Sequence, residues 1–182
     1  MIGPNKMLIP ATMYINEMPI HWCEKIKYLG VMLCSGNKFQ IDFEETRRKF
    51  FISANSILSK CKYTSELVKL RLVESHCLPI LMYSMESLNV NINQLKLMNS
   101  WWNSVYRKIF GYNKWESVSE LICLLGRLNF VYLVNLQRLL FFKRMSLNHS
   151  NNNVIFNLLK CFLVRREFKS LLIVNNTQRQ WS

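Results

Sequence analysis

Aspartate is almost absent from this chain: among 182 residues, only Asp42 is one. A site that holds two divalent metal ions between paired aspartates therefore has no ligands here. The only adjacent acids, Glu44 and Glu45, stand at a predicted helix start, where carboxylates favour the helix dipole. Histidine is scarce too, with three residues far apart and no ligand pattern. The six cysteines contain no Cys-x-x-Cys pair, and Cys61 with His76 and Cys77 fits no zinc-finger spacing. Nothing at the start reads as a signal peptide, so reduced core thiols in an intracellular protein, nuclear or cytoplasmic, are expected. A phosphate-cradling glycine loop and any Ser/His/Asp combination are missing as well. The chain is accordingly expected to have no catalytic residue, no cofactor or metal, and no small-molecule substrate. Apolar runs are short: the longest, Cys77 to Met85, contains Pro79 and falls well below the roughly 18 residues of a membrane span. No membrane partner is expected.

What the chain has in quantity is positive charge and apolar bulk. Lys and Arg number 24 against 11 acids, a formal charge of +13, while half the residues are hydrophobic and 13% aromatic. That apolar share excludes a disordered tail, and the length supports one good core or two small lobes. The cationic surplus is clustered on predicted helices. It points to a polyanionic partner, nucleic acid first and anionic membrane second.

Along the chain, Met1 to Pro10 reads as a lead-in. Thr12–Ile15 and Ile20–Trp22 read as two strands joined through Asn16-Glu17. Pro19 makes the second an edge or bulged strand. Lys25–Leu33 alternates as a third strand, with Ile26, Tyr28 and Met32 on one face and Leu29, Val31 and Leu33 on the other. Gly30 within it marks a bulge or the close approach of another backbone. The three together predict a small antiparallel patch that needs a cover.

Helical periodicity follows. Asp42 and Glu45 open a helix whose stripe is Phe43, Phe50, Ala54, Ile57 and Cys61. Ser65 caps a second, through Leu67, Leu70, Val73 and Cys77, which Pro79 ends or kinks. A third starts near Asn93 along Leu95, Met98, Trp102, Val105 and Ile109, and Gly111 stops it. Trp101 and Trp102 suit either base stacking or inter-helix packing. Ser117-Val118-Ser119-Glu120 reads as a capping box for a short helix ended by Gly126. Phe130–Met145 is helical, with Leu133, Val134, Gln137, Leu140 and Phe141 on one side. Asn148–Asn153 reads as a linker, Val154–Val164 as a further helix, and Arg165-Arg166 as the start of a mixed tail. The fold class is mainly α, a helical bundle with a small antiparallel hairpin or three-stranded sheet at its N-terminus.

Lys27-Tyr28-Leu29-Gly30-Val31, between a hairpin and a run of basic helices, resembles the segment that closes the palm of non-LTR (LINE/jockey-like) retrotransposon reverse transcriptases. Arg48-Lys49-Phe50, Asn55-Ser56-Ile57, Leu78 to Tyr83, Arg107 to Phe110, Leu125 to Phe130 and Phe141 to Met145 are similar to the thumb and following helices of those enzymes. Their order and spacing over residues 10 to 145 carry the resemblance, which does not extend past about residue 170. It implies three regions: residues 1–35 as the end of a palm, 36–147 as a thumb-like bundle, and 148–182 as linker, C-terminal helix and tail. The family is an RNA-directed DNA polymerase that uses magnesium held by aspartates, one early in the palm and two in an Ala-Asp-Asp turn. Those aspartates, the fingers, most of the palm and the endonuclease of such elements are not in this sequence. The resemblance therefore implies a catalytically incomplete piece of a mobile-element enzyme, a truncated copy or a fragmentary gene product.

Two expectations compete. In one, the chain keeps sequence-independent affinity for a DNA or RNA primer–template. The resemblance then places Tyr28, Leu29 and Gly30 at the primer strand and phosphate contacts at Arg47, Arg48 and Lys49. The bland counterpart is that these cations only pair with Glu44 and Glu45 one turn earlier. In the other, the chain is a structural remnant or helical interaction module whose apolar sheet once packed on a partner. A basic membrane-surface role is the third and weakest reading.

Overall fold

In a computed structural model of the chain, residues 13–21, 23–36 and 40–147 are described. The lead-in to Pro10, the Asn148–Asn153 linker, the Val154–Val164 stretch and the tail lie outside them. Among the described residues five short strands precede six helices, so the fold is mainly α with small antiparallel sheets toward the N-terminal end.

Two tight turns decide the sheets. Strands β1 (Met13–Ile15) and β2 (Met18–Ile20) pair antiparallel around Asn16-Glu17, whose φ angles are 48° and 65°. Positive φ at both central residues is what a two-residue type I′ hairpin requires. The turn is so short that β2 begins at Met18, earlier than the expected Ile20, and takes Pro19 into the strand opposite Tyr14. In a two-stranded ribbon either strand has a free edge, so a proline without an N–H fits there.

Lys25–Leu33 is not one strand, contrary to the expectation from its alternation. The chain reverses at Leu29-Gly30, with φ of 46° and 79°, giving β3 (Lys25–Tyr28) and β4 (Val31–Cys34). The reversal resets the alternation. Ile26 now faces Leu33 and Tyr28 faces Val31, while Met32 pairs with Lys27 on the opposite face. Gly30 marks a turn rather than a bulge. Strand β5 (Gln40–Asp42) pairs with the other side of β4, so the three-stranded sheet is β3-β4-β5 and the β1-β2 ribbon is a separate sheet.

Helix α1 (Glu44–Lys60) starts where Asp42 Oδ1 accepts the Glu44 N–H at 2.9 Å. Of its expected stripe, Phe50 and Ala54 are fully buried, and Ile57 and Cys61 half-buried. Helix α2 (Glu66–His76) buries Leu70 and Val73 but leaves Leu67 exposed. Pro79 sits in the first turn of α3 (Leu78–Met82), where its missing N–H costs no helix bond.

Helix α4 (Ile92–Phe110) is the best-specified element. Asn91 and Gln94 form a reciprocal capping box, and Gly111, at φ 72°, closes the other end. It buries Leu95, Met98, Trp101, Trp102, Val105, Tyr106 and Ile109. Both tryptophans therefore belong to packing: Phe50, Trp102 and Tyr106 form a ring ladder at 6.2 and 5.6 Å. Of these ring contacts, Phe50 on Trp102 joins α1 to α4.

The box expected at Ser117 does not form. Helix α5 (Ser119–Leu124) starts one residue late, with buried Val118 at its N-cap, while Ser117 Oγ accepts the Ser119 N–H at 3.4 Å and donates to the Ser119 hydroxyl at 3.3 Å. Drawing Val118 into the core outweighs a capping bond of about 1 kcal/mol.

The chain divides into two compact units, residues 1–132 and 133–182. Helix α6 (Phe130–Leu147) opens in the first, where Asn129 Oδ1 accepts the Val131 N–H at 2.8 Å. In the second unit Val134 is buried, Leu133, Gln137 and Phe141 are half-buried, and Leu140 is exposed against expectation. Apolar residues surround this helix rather than forming one stripe, so periodicity could not single out Leu140.

Candidate nucleic-acid interface

The first turns of α1 run Glu-Glu-Thr-Arg-Arg-Lys, and spacing alone sets two ion pairs. Arg47 meets Glu44 at 3.1 Å and Lys49 meets Glu45 at 2.8 Å. Glu45 also takes Lys27 of β3 at 2.8 Å, on the same oxygen. Lys27 and then Lys49 hold the Glu45 carboxyl down to about 2. Beside it, Lys25 and the Glu44 N–H lower the Asp42 carboxyl, with Lys25 at 2.7 Å. Two of the three cations expected to hold phosphate are thus paired one turn back.

Arg48 differs. It is exposed, and among the described residues no acid or hydrogen-bond acceptor engages its guanidinium. It lines an open groove of about 580 Å³ whose floor continues through Phe51, Ile52 and Asn55. Lys108 of α4, itself outside the groove lining, donates to Asn55 Oδ1 at 3.0 Å and lies 6.0 Å from the Phe51 ring. Arg48 and Asn55 are seven residues apart, two helical turns or about 10 Å. The groove thus carries the unpaired guanidinium of Arg48 beside the ion-paired Glu44, Glu45 and Arg47, which line it as well. Arg47 adds a third charge beside the Trp101 ring, at 6.0 Å.

The other expected contacts sit on the β3–β4 turn. Tyr28 and Leu29 are exposed, Leu29 by 74%. Tyr83, after α3, donates its hydroxyl to the Leu29 carbonyl at 3.0 Å. A Cβ on Gly30 would stand 3.2 Å from the Tyr83 ring, so only glycine meets both the positive φ and the close approach. The sheet is tied to the helices at two further points: Gln94 donates to the Ile41 carbonyl at 3.0 Å, and Lys27 pairs with Glu45. The turn and the first turn of α1, which the sequence could only place separately, are joined through Lys27, next to Tyr28.

Tyr83, Lys27, Lys108 and Asn55 were not singled out in the sequence as partners of this region. Asn55 and Lys108 lie 53 residues apart, and no local spacing signals such a pair. Among the described residues no group of three or more His, Cys, Asp or Glu comes together, and no helix is long and apolar enough to cross a membrane. No protein-family model, curated protein or solved structure matches this chain.

Proposed function

We propose that this chain is a thumb-like helical module that binds nucleic acid through phosphate contacts, without regard to sequence and without polymerase chemistry. The observation that carries this reading is Arg48. On a helix start where acids neutralise both neighbouring cations, it alone of the three stays unpaired, in the wall of an open groove along α1. The charge of +13 adds a long-range attraction for polyanions. The link to non-LTR reverse transcriptases rests on the sequence resemblance. Supporting it, segments that carry the resemblance touch one another: Tyr83 with Leu29, and Asn55 with Lys108. The absence of paired aspartates supports the second half of the proposal, that the chain copies no template. Phosphate-dominated binding falls linearly with the logarithm of salt. Anisotropy titrations of unrelated duplexes over a salt series should give equal affinities and a steep common slope. Salt-insensitive binding, or none at low salt, would sink the reading.

One observation favours a second reading, an interaction module. Every residue of the β1-β2 ribbon is exposed, including Met13, Ile15, Met18 and Ile20 on one face and Tyr14 on the other. Such a face promotes association. Concentration-dependent self-association in size-exclusion, with no affinity for oligonucleotides, would favour this second reading over the first.

A further inference from the structure

We propose that Trp115 is a stacking platform for an unpaired base of a single nucleic-acid strand, a contact separate from the phosphate-binding groove on α1. The proposal rests on the reading of this chain as a nucleic-acid binder.

The loop after α4 is tightly built. The Gly111 and Tyr112 N–H groups both return to the Arg107 carbonyl. Asn113 and Glu116 then close a turn on each other. The Glu116 N–H donates to the Asn113 carbonyl at 3.2 Å. The Glu116 carboxylate accepts the Asn113 backbone N–H at 2.6 Å and its side-chain amide at 3.1 Å. Arg107 Nε fastens the same turn by donating to the Glu116 carbonyl at 2.8 Å. Lys114 and Trp115 occupy the two central positions, so every one of these bonds fixes the base from which the indole projects.

That indole is 83% exposed and packs on no other ring among the described residues. Burying a tryptophan here would gain a large apolar area, yet the loop spends its bonds presenting the ring to solvent. A rigid, presented aromatic binds a flat partner with little ordering cost. Charge selects which flat partner. Exposed Lys114 is its neighbour in the turn, and the chain as a whole carries a charge of +13. The nearest carboxylate, Glu116, has both oxygens taken by Asn113. An exposed π-face next to a lysine, on a strongly cationic chain, suits a base with its phosphate, and such stacking tolerates any base. A paired duplex offers no base face in its interior, so the contact is specific to unpaired strands.

The test compares an oligothymidylate with an abasic strand of equal length, which keeps the phosphates and removes the rings. Wild-type protein should bind the oligothymidylate roughly ten-fold tighter. Trp115→Ala should erase that preference while leaving affinity for the abasic strand unchanged, and Trp115→Tyr should retain most of it. Equal wild-type affinity for the two strands overturns the proposal, as does a preference that survives in Trp115→Ala. Neither wild-type result depends on a variant folding. Wild-type protein that binds neither strand sinks the nucleic-acid reading itself, a distinguishable failure. If anionic phospholipid vesicles displace the oligothymidylate, and Trp115→Ala loses vesicle binding, the ring belongs to a lipid surface and the proposal is wrong.

Discussion

Helix α4 and the β1-β2 ribbon stand at opposite limits of how a sequence specifies structure. The helix has a capping box, a glycine stop and seven buried side chains. The ribbon has an unambiguous turn and no buried residue at all. A turn fixes register but stabilises little, and an isolated two-stranded hairpin is marginal in water. The apolar core is built by the helices, with the Phe50, Trp102 and Tyr106 rings among its largest fully buried side chains. Among the described residues, surfaces outside that core include the ribbon, the β3–β4 turn, the Arg48 groove and the Trp115 loop.

Replacements on the two sides of this contrast should differ sharply. Trp102→Ala removes a ring that is only 1% exposed and should cost about 3–5 kcal/mol in urea denaturation. Ile15→Ala in the ribbon should stay within about 0.5 kcal/mol. A large loss at Ile15 would mean that the ribbon is covered in solution, and the contrast would break.

The three-stranded sheet should fall between. Gly30→Ala forces φ of +79° on a residue with a side chain and sets its Cβ against Tyr83, a loss of about 1–2 kcal/mol. Tyr83→Phe removes one hydrogen bond, about 0.5–1.5 kcal/mol, and the lower end suits its exposed setting. If the two variants together lose no more than Gly30→Ala alone, the glycine and the hydroxyl act on the same turn.

A smaller effect follows from Glu45. Its folded carboxyl titrates at about 2, below the ordinary 4.5, because Lys27 and Lys49 favour the charged form. A lowered acid stabilises the fold above its ordinary value and loses that contribution as pH falls from about 4.5 to about 2. Glu45→Gln should therefore be the less stable protein at neutral pH, with its curve meeting the wild-type curve near the bottom of that window. Parallel curves throughout would show that Lys27 does not tie β3 to α1.

Helices were legible in the sequence wherever local chemistry and packing agree. The helix ended by Gly111 could be read in existence, stop and main stripe, but its Asn91–Gln94 capping box and the burial of Trp101 and Tyr106 beside the stripe could not. At Lys25–Leu33 alternation was right for each half and wrong for the whole. Period two cannot distinguish one strand from two that reverse at a two-residue turn, and Leu29, an unfavoured residue at positive φ, concealed the turn. Ser117 failed for the opposite reason: its local signal was clear, and burial of Val118 overrode it. At the candidate site, the pairing of Arg47 and Lys49 followed from helical spacing. That Arg48 is left over depends on which acids are already taken, including Glu45 by Lys27, 18 residues away. Long-range pairs of this kind leave no periodic trace.

The central claim is that Arg48 holds phosphate, and the salt slope of oligonucleotide binding tests it most directly. Wild-type protein and Arg48→Glu would be titrated with the same duplexes across a salt series, after matching melting temperatures show both folded. The variant should bind every sequence more weakly to a similar degree, with a slope reduced by about one unit. A slope equal to that of wild type would contradict the claim and leave Arg48 an ordinary exposed cation on a solvated helix.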